Sequence, residues 1–271
     1  MLENRQIVYN SQLEIEALVF DGIQQKFPNH FHDYYVIGYI EKGSRKLSCK
    51  NKEYILKEGD FIFFNPYDNH ECESIDGKPL IYRNLHIRPE IMEKHVHARL
   101  SLTKNPLFTV TVPETTQENQ LFLQLHERLM NERSNDAFEI EELFTLLLND
   151  LLSSYSSLEE SKHQTIPHKL NETKEFIEQN YAQKLSLAEL SVLAETNQYT
   201  FIRLFTKYFG LTPFQYLITT RINQAKECLK DDISITEIAI ETGFSDQSHF
   251  TRVFKAQIGI TPKMYQNIFN A

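Results

Sequence analysis

A chain of 271 residues with 41% hydrophobic and 24% charged residues is long enough for two cores and too ordinary in composition for wholesale disorder. A net charge of -9 argues against a chain built throughout to hold nucleic acid, and Cys49, Cys72 and Cys228, odd in number and far apart, argue against a disulfide framework or a cysteine zinc site. No apolar run approaches the ~18–20 residues of a membrane span, and the polar start MLENRQIVYNSQLEIEALVF lacks a secretion signal's apolar core, so no membrane partner and a cytoplasmic location are expected.

Residues 1–112 read as β. Short runs rich in Val, Ile, Phe and Tyr (YYVIGYI, EYIL, FIFF, LIYRNLHI) alternate with the turn signals EKGSR, KEGD, NPYDN and DGKP. Many short strands with Gly and Pro turns point to a sandwich or small barrel. Alternation predicts His30, His32 and Tyr34 on one strand face, and Asn84 and His86 on one face of a later strand. His70 closes FIFFNPYDNH.

The period then changes to that of helices. Glu118–Met130 places Leu121, Leu125 and Leu129 four apart, and Phe138–Leu152 carries LFTLLL. The first helix can cover the barrel. The second can pair with its own copy in a homodimer, or pack within one chain, so 113–155 is a candidate dimerisation segment. SSYSSLEESKHQTIP is polar and Ser-rich, and places a linker at 156–166.

The charge divides at this linker. Residues 167–271 hold 11 Lys and Arg against 11 Asp and Glu, whereas the first 166 hold 17 against 26. The acidity therefore belongs to the N-terminal part. The neutral C-terminal part is helical and repeats itself. Ser186-Leu-Ala-Glu189 and Ser234-Ile-Thr-Glu237 are both capping-box sequences, and RLFTKYFGLTP matches RVFKAQIGITP.

Each copy, at about 186–209 and 234–258, reads as a capped helix, a tight connection and a second amphipathic helix. In the second copy Ile235, Ile238 and Ala239 face inward, Gly243 ends the first helix, and Ser245 or Asp246 starts the next. Phe250, Val253 and Phe254 bury that helix; Gly259 stops it and Thr261-Pro262 begin another. The opposite face carries Gln247, Ser248, His249, Thr251, Arg252 and Lys255, hydrogen-bonding groups suited to base edges and phosphates. Gln198, Tyr199, Thr200, Ile202, Arg203 and Thr206 match them in the first copy, where Ile202, apolar at a position expected to be exposed, can meet a thymine methyl. PFQYLITTRINQAKECLK reads as one helix between the copies, with Leu217, Ile222, Ala225 and Leu229 inward, able to hold two reading helices about one DNA turn apart.

The segment from about Ile166 to Phe269 resembles the DNA-binding domain of the AraC/XylS family of bacterial transcription regulators, most closely through IAIETGFSDQSHFTRVFKAQIGITPKMY. The first copy departs from the family pattern: Glu195-Thr196-Asn197 stands where a glycine is usual, and Asn197 is the residue expected to tolerate the turn and cap the helix. The spacing of His30, His32, Gly43, Gly59, Asp60 and His70 is similar to the cupin barrel, the sensor domain common in that family.

The resemblance implies a two-domain α+β protein: a cupin-like β-barrel with a helical dimerisation segment, then an all-α domain with two helix-turn-helix units joined by a long helix. It also implies a sequence-specific, effector-responsive regulator rather than an enzyme. Operator DNA, a small polar effector, a second copy and RNA polymerase are the expected partners. His30, His32, Tyr34, His70, Asn84 and His86 are the candidate effector contacts. Catalytic cupins hold a metal through an HxH pair, a glutamate and a later histidine; Val36 stands where that glutamate belongs. No cofactor is therefore expected, a metal at His30, His32 and His70 being the less favoured alternative. The competing reading is a metal-dependent cupin enzyme fused to a helical DNA-binding module. A DNA-repair alkyltransferase with the same module is disfavoured, because its zinc would need a cysteine cluster.

Overall fold

The computed structural model describes residues 3–100, 105–113, 119–131, 137–157 and 166–269, without the side chains of 97–100. Most of the linker expected at 156–166 lies outside the described residues. Contacts divide the chain into two compact units, one of residues 1–26, 33–68 and 72–161, the other of 27–32, 69–71 and 162–271.

The first two-thirds of the chain contain β1 (Asn4–Asn10), β2 (Ile15–Ile23), β3 (Phe27–His30), β4 (Tyr35–Lys42), β5 (Arg45–Cys49), β6 (Lys52–Leu56), β7 (Phe61–Phe64), β8 (His70–Ser74) and β9 (Leu80–Ile87). After them come α1 (Pro89–Leu100), β10 (Leu107–Phe108), α2 (Asn119–Met130), α3 (Ala137–Tyr155) and β11 (Ser156–Ser157). The strands form a five-stranded sheet in the order β1-β2-β9-β4-β7 and a four-stranded sheet in the order β3-β8-β5-β6. This is a cupin-like pattern, with two separate ladders rather than one continuous ring.

Register decides what the larger sheet presents on each face. Ala17, Leu85, Ile37 and Phe63 lie in one cross-strand row, and the neighbouring row is Glu16, His86, Val36 and Phe64. Because side chains alternate, the two rows point to opposite faces. The first face is apolar and joins Phe122, Leu125, Phe144, Leu147, Leu148 and Leu151 of α2 and α3 in one core. The LFTLLL stripe is thus largely buried against its own sheet, and Leu146 is the leucine of that run left 48% exposed. On the other face Tyr82 lies over Gly38, where an added Cβ would overlap the phenol ring.

The helical part comprises α4 (His168–Gln179), α5 (Leu187–Leu193), α6 (Gln198–Phe209), α7 (Pro213–Cys228), α8 (Ile235–Glu241), α9 (Gln247–Ile258) and α10 (Pro262–Asn267). Ser186 and Glu189 form the complete capping box expected of them. Ser234 accepts from the Glu237 amide, but its box lacks the returning arm. Thr212 and Gln215 form a second complete box that the sequence reading did not include.

α7 is buried nearly all round, more than its predicted stripe requires. Leu217, Ile222, Ala225 and Leu229 are buried as expected, and Thr219, Thr220, Arg221, Asn223 and Lys226 on its other sides are buried too. Both repeats pack on it. Tyr216 stacks edge-on against Phe205 of α6 at 5.5 Å, and Thr219 accepts a hydrogen bond from Gln257 of α9 at 3.4 Å. Arg221 is satisfied by the carbonyls of Tyr181 and Gln183, at 2.8 and 2.9 Å.

Candidate DNA interface and ligand-contact groups

Each repeat folds into two helices joined by a turn of the same hydrogen-bond pattern. After α8 the amides of Gly243 and Phe244 return to the carbonyls of Ile240 and Ala239; after α5 those of Glu195 and Thr196 return to Val192 and Ser191. The turn needs one left-handed residue. Gly243 takes it with φ +82°, and its missing Cβ leaves room for the Ala182 carbonyl, which a Cβ would meet at 2.7 Å. In the first repeat the left-handed residue is Glu195, at φ 53°, and not Asn197. Asn197 is extended and acts only as the cap, accepting from the Thr200 amide at 2.9 Å. Asp246 caps α9 in the same way, through the His249 amide at 2.8 Å.

The helices after these turns present unequal sets of the expected side chains. Gln198, Tyr199 and Arg203 on α6, and Gln247, Ser248, Arg252 and Lys255 on α9, are exposed. Arg203 and Arg252 make no ion pair among the described residues, which leaves both guanidinium forks available. Thr200, Ile202, Thr206, His249 and Thr251 are half-buried. Packing therefore accounts for part of the apolar character of Ile202. The His249 ring lies against Phe244 at 5.4 Å, its Nδ1 3.5 Å from the Ser245 hydroxyl, which holds it close to the helix surface.

The equivalent glutamines Gln198 and Gln247 differ in their support. Thr236 of α8 donates from its hydroxyl to Gln247 Oε1 at 2.6 Å, turning the amide nitrogen away from α8. The matching residue of α5 is Ala188, which has no hydroxyl. Helical period along α8 and α9 does not reveal this pairing, which depends on how the two helices pack.

The six candidate effector contacts fall into two groups. Tyr34, Asn84 and His86 come together with Glu16 and Tyr82, two residues that alternation along β2 and β9 could have flagged. Glu16 Oε2 lies 2.9 Å from His86 Nδ1, and the Tyr34 ring packs on the His86 ring at 4.5 Å. Burial, and then the charge of Glu16, push the Tyr34 phenol well above its ordinary range, so it remains a protonated donor. Asn84 engages the Tyr82 hydroxyl, while its buried Oδ1 makes no hydrogen bond among the described residues.

His30, His32 and His70 form the second group, with one nitrogen of each ring within 4.8 Å of one nitrogen of the other two. Strand alternation is not what gathers them: β3 ends at His30 and β4 begins at Tyr35, so His32 and Tyr34 lie in the connection. Burial lowers His30 to about 4, leaving it neutral.

Two capped helix-turn-helix units on a shared buried helix, preceded by a β-rich domain with a buried polar cluster, define a DNA-binding regulator with a ligand-binding domain. Residues 12–148 match the AraC-like ligand binding domain, and residues 190–268 match a helix-turn-helix domain. The HTH-type transcriptional regulator YbfI of Bacillus subtilis (strain 168) is 44% identical over 250 residues, covering 91% of this chain and 90% of its own. The HTH-type transcriptional activator RhaS of Enterobacter sp. (strain 638) is 26% identical over 254 residues, covering 89% and 87%. ToxT from Vibrio cholerae shares the fold, with a TM-score of 0.55 at 15% identity over 95% of this chain and 98% of its own. The chain belongs to the AraC family of transcription regulators.

Proposed function

We propose that this regulator reads an operator through the exposed faces of α6 and α9, and that a small polar molecule seated on the Glu16–Tyr34–Asn84–His86 group biases that reading. The observation that carries the effector site is the buried Asn84 Oδ1, an acceptor with no hydrogen bond among the described residues, beside a protonated phenol and a carboxylate–imidazole pair. A buried polar atom is expected to be satisfied, so a donor on the effector completes it. The candidate DNA contacts are Gln198, Tyr199, Thr200, Ile202, Arg203, Gln247, Ser248, His249, Thr251, Arg252 and Lys255. The exposed Arg203 and Arg252, without an ion pair among the described residues, supply their positive charge. The protein acts in the cytoplasm by binding rather than by turnover.

The dimer contact uses α3, where exposed Leu146 borders a groove of about 210 Å³ lined by His95, Val96, Thr145, Leu148, Asn149 and Leu152. RNA polymerase is the fourth partner, a reading supported by the activator role in the name of RhaS. Binding of the purified chain to DNA upstream of its own and neighbouring genes, at two salt concentrations, tests the proposal. A preferred duplex whose affinity falls with salt is expected. Equal affinity for that duplex and for bulk DNA overturns it.

A further inference from the structure

Three histidines that meet inside a protein need a reason to be there, because each imidazole carries two nitrogens that burial removes from water. His30, His32 and His70 are 2%, 8% and 5% exposed. Their ring centroids are 4.7, 4.5 and 5.1 Å apart, and one nitrogen from each lies within 4.8 Å of the other two. Ligand nitrogens around a tetrahedral ion with bonds of ~2.0–2.1 Å are about 3.3 Å apart, so small ring rotations close the set.

The tautomer of His30 is also set. Its Nδ1 lies 2.6 Å from the Pro28 carbonyl, which can only accept, so the proton sits on Nδ1 and the lone pair on Nε2. A backbone carbonyl orienting the far nitrogen is the usual outer support of a metal-bound imidazole.

We propose that His30, His32 and His70 bind one divalent transition-metal ion through three imidazole nitrogens. The donor set decides the class of ion. Calcium and magnesium require oxygen ligands, whereas neutral imidazoles suit zinc, cobalt and nickel. Val36, the residue that replaces the cupin carboxylate, is apolar and buried, so it contributes no ligand. The three-nitrogen set therefore retains the ion's full double charge and leaves at least one coordination position for water or an anionic ligand. This assignment stands apart from the effector reading, which rests on Glu16, Tyr34, Asn84 and His86.

The test uses the full-length chain without an affinity tag, stripped with chelator and titrated with cobalt(II) alone, then with zinc(II). One equivalent of cobalt is expected to bind, with visible d–d absorption that zinc abolishes by displacement. His32→Ala and His70→Gln are each expected to weaken binding about a hundredfold or more, while His168→Ala on the surface leaves it unchanged. Melting of each metal-free variant beside metal-free wild type separates lost ligands from lost fold. Absence of stoichiometric cobalt or zinc in the wild type overturns the proposal without reference to any variant. So does unaltered binding in His32→Ala and His70→Gln. DNA is not present in the assay, so neither result depends on how the operator is read.

Discussion

Glu16 on β2 and His86 on β9 face each other across one sheet row, carboxylate oxygen to imidazole nitrogen at 2.9 Å, both largely buried. A buried pair of this kind stabilises little as a pair, because desolvation offsets the attraction and joint replacement of both partners by apolar residues is often neutral, whereas removal of one takes a hydrogen-bond partner from the other. Glu16→Leu takes this acceptor from the His86 imidazole and is therefore expected to cost about 1–3 kcal/mol in urea unfolding while leaving the protein folded. Regulated expression from the chain's own promoter should nevertheless be lost, as read by a reporter gene. A normal response from a folded Glu16→Leu protein would remove this residue from the effector site.

The two turns make opposite demands. Gly243→Ala places a Cβ 2.7 Å from the Ala182 carbonyl at φ +82°, and is expected to cost about 2–4 kcal/mol in urea unfolding. Glu195→Gly relieves a left-handed glutamate, at the cost of unfolded-state entropy and the exposed 3.3 Å pair with Lys169. A net gain below about 1 kcal/mol is expected.

On α9 the exposed and buried residues separate binding from folding. Arg252→Ala should weaken operator binding by about 1–3 kcal/mol in a gel-shift or anisotropy titration, with an unchanged melt. Phe254, fully buried against Phe250 and Tyr265, should cost about 3–5 kcal/mol of stability on truncation to alanine. Wild-type operator affinity in Arg252→Ala would mean that the reading face is misassigned.

Thr236 should tune specificity without touching DNA. Thr236→Val removes the hydroxyl that orients Gln247, and selection from randomised duplexes should show a relaxed preference at one base pair of the second half-site. The expected loss is about 1 kcal/mol of discrimination, at an unchanged melting temperature. Thr236→Ser should restore the preference, and Ala188→Thr should sharpen the corresponding position of the first half-site.

His126 supplies a pH signature. Its Nε2 donates to the Leu18 carbonyl at 2.8 Å and its Nδ1 faces Arg83 at 3.3 Å, so the ring is held neutral. Burial is the main cause that lowers it to about 4 from an unfolded value of 6.5. Between those values the unfolded chain binds the extra proton. Stability contributed by this ring is full above pH 6.5 and is lost as pH falls toward 4, at about 1.4 kcal/mol per unit. Urea midpoints from pH 7 to 4 should fall less steeply in His126→Leu than in wild type.

The sequence alone determined whatever is local or repeated. Caps, glycine stops, the Thr-Pro restart and the i, i+3, i+4 stripes are fixed within a few residues by backbone hydrogen bonding and side-chain period. Two copies of that grammar made the helix-turn-helix units legible down to Asp246 and Phe254. The β half was legible as short strands and turns for the same reason.

Tertiary structure decided what depends on which strands and helices become neighbours. β2 lies beside β9, so Glu16 meets His86, although they are 70 residues apart in sequence. α8 lies beside α9, so Thr236 can hold Gln247. The histidines of β3, its following loop and β8 converge through chain reversal rather than alternation. α7 is enclosed on several sides, which a single-stripe reading of its sequence could not show. Periodicity reports that a face is buried, but the partner on the other side is set by the packing of the whole chain.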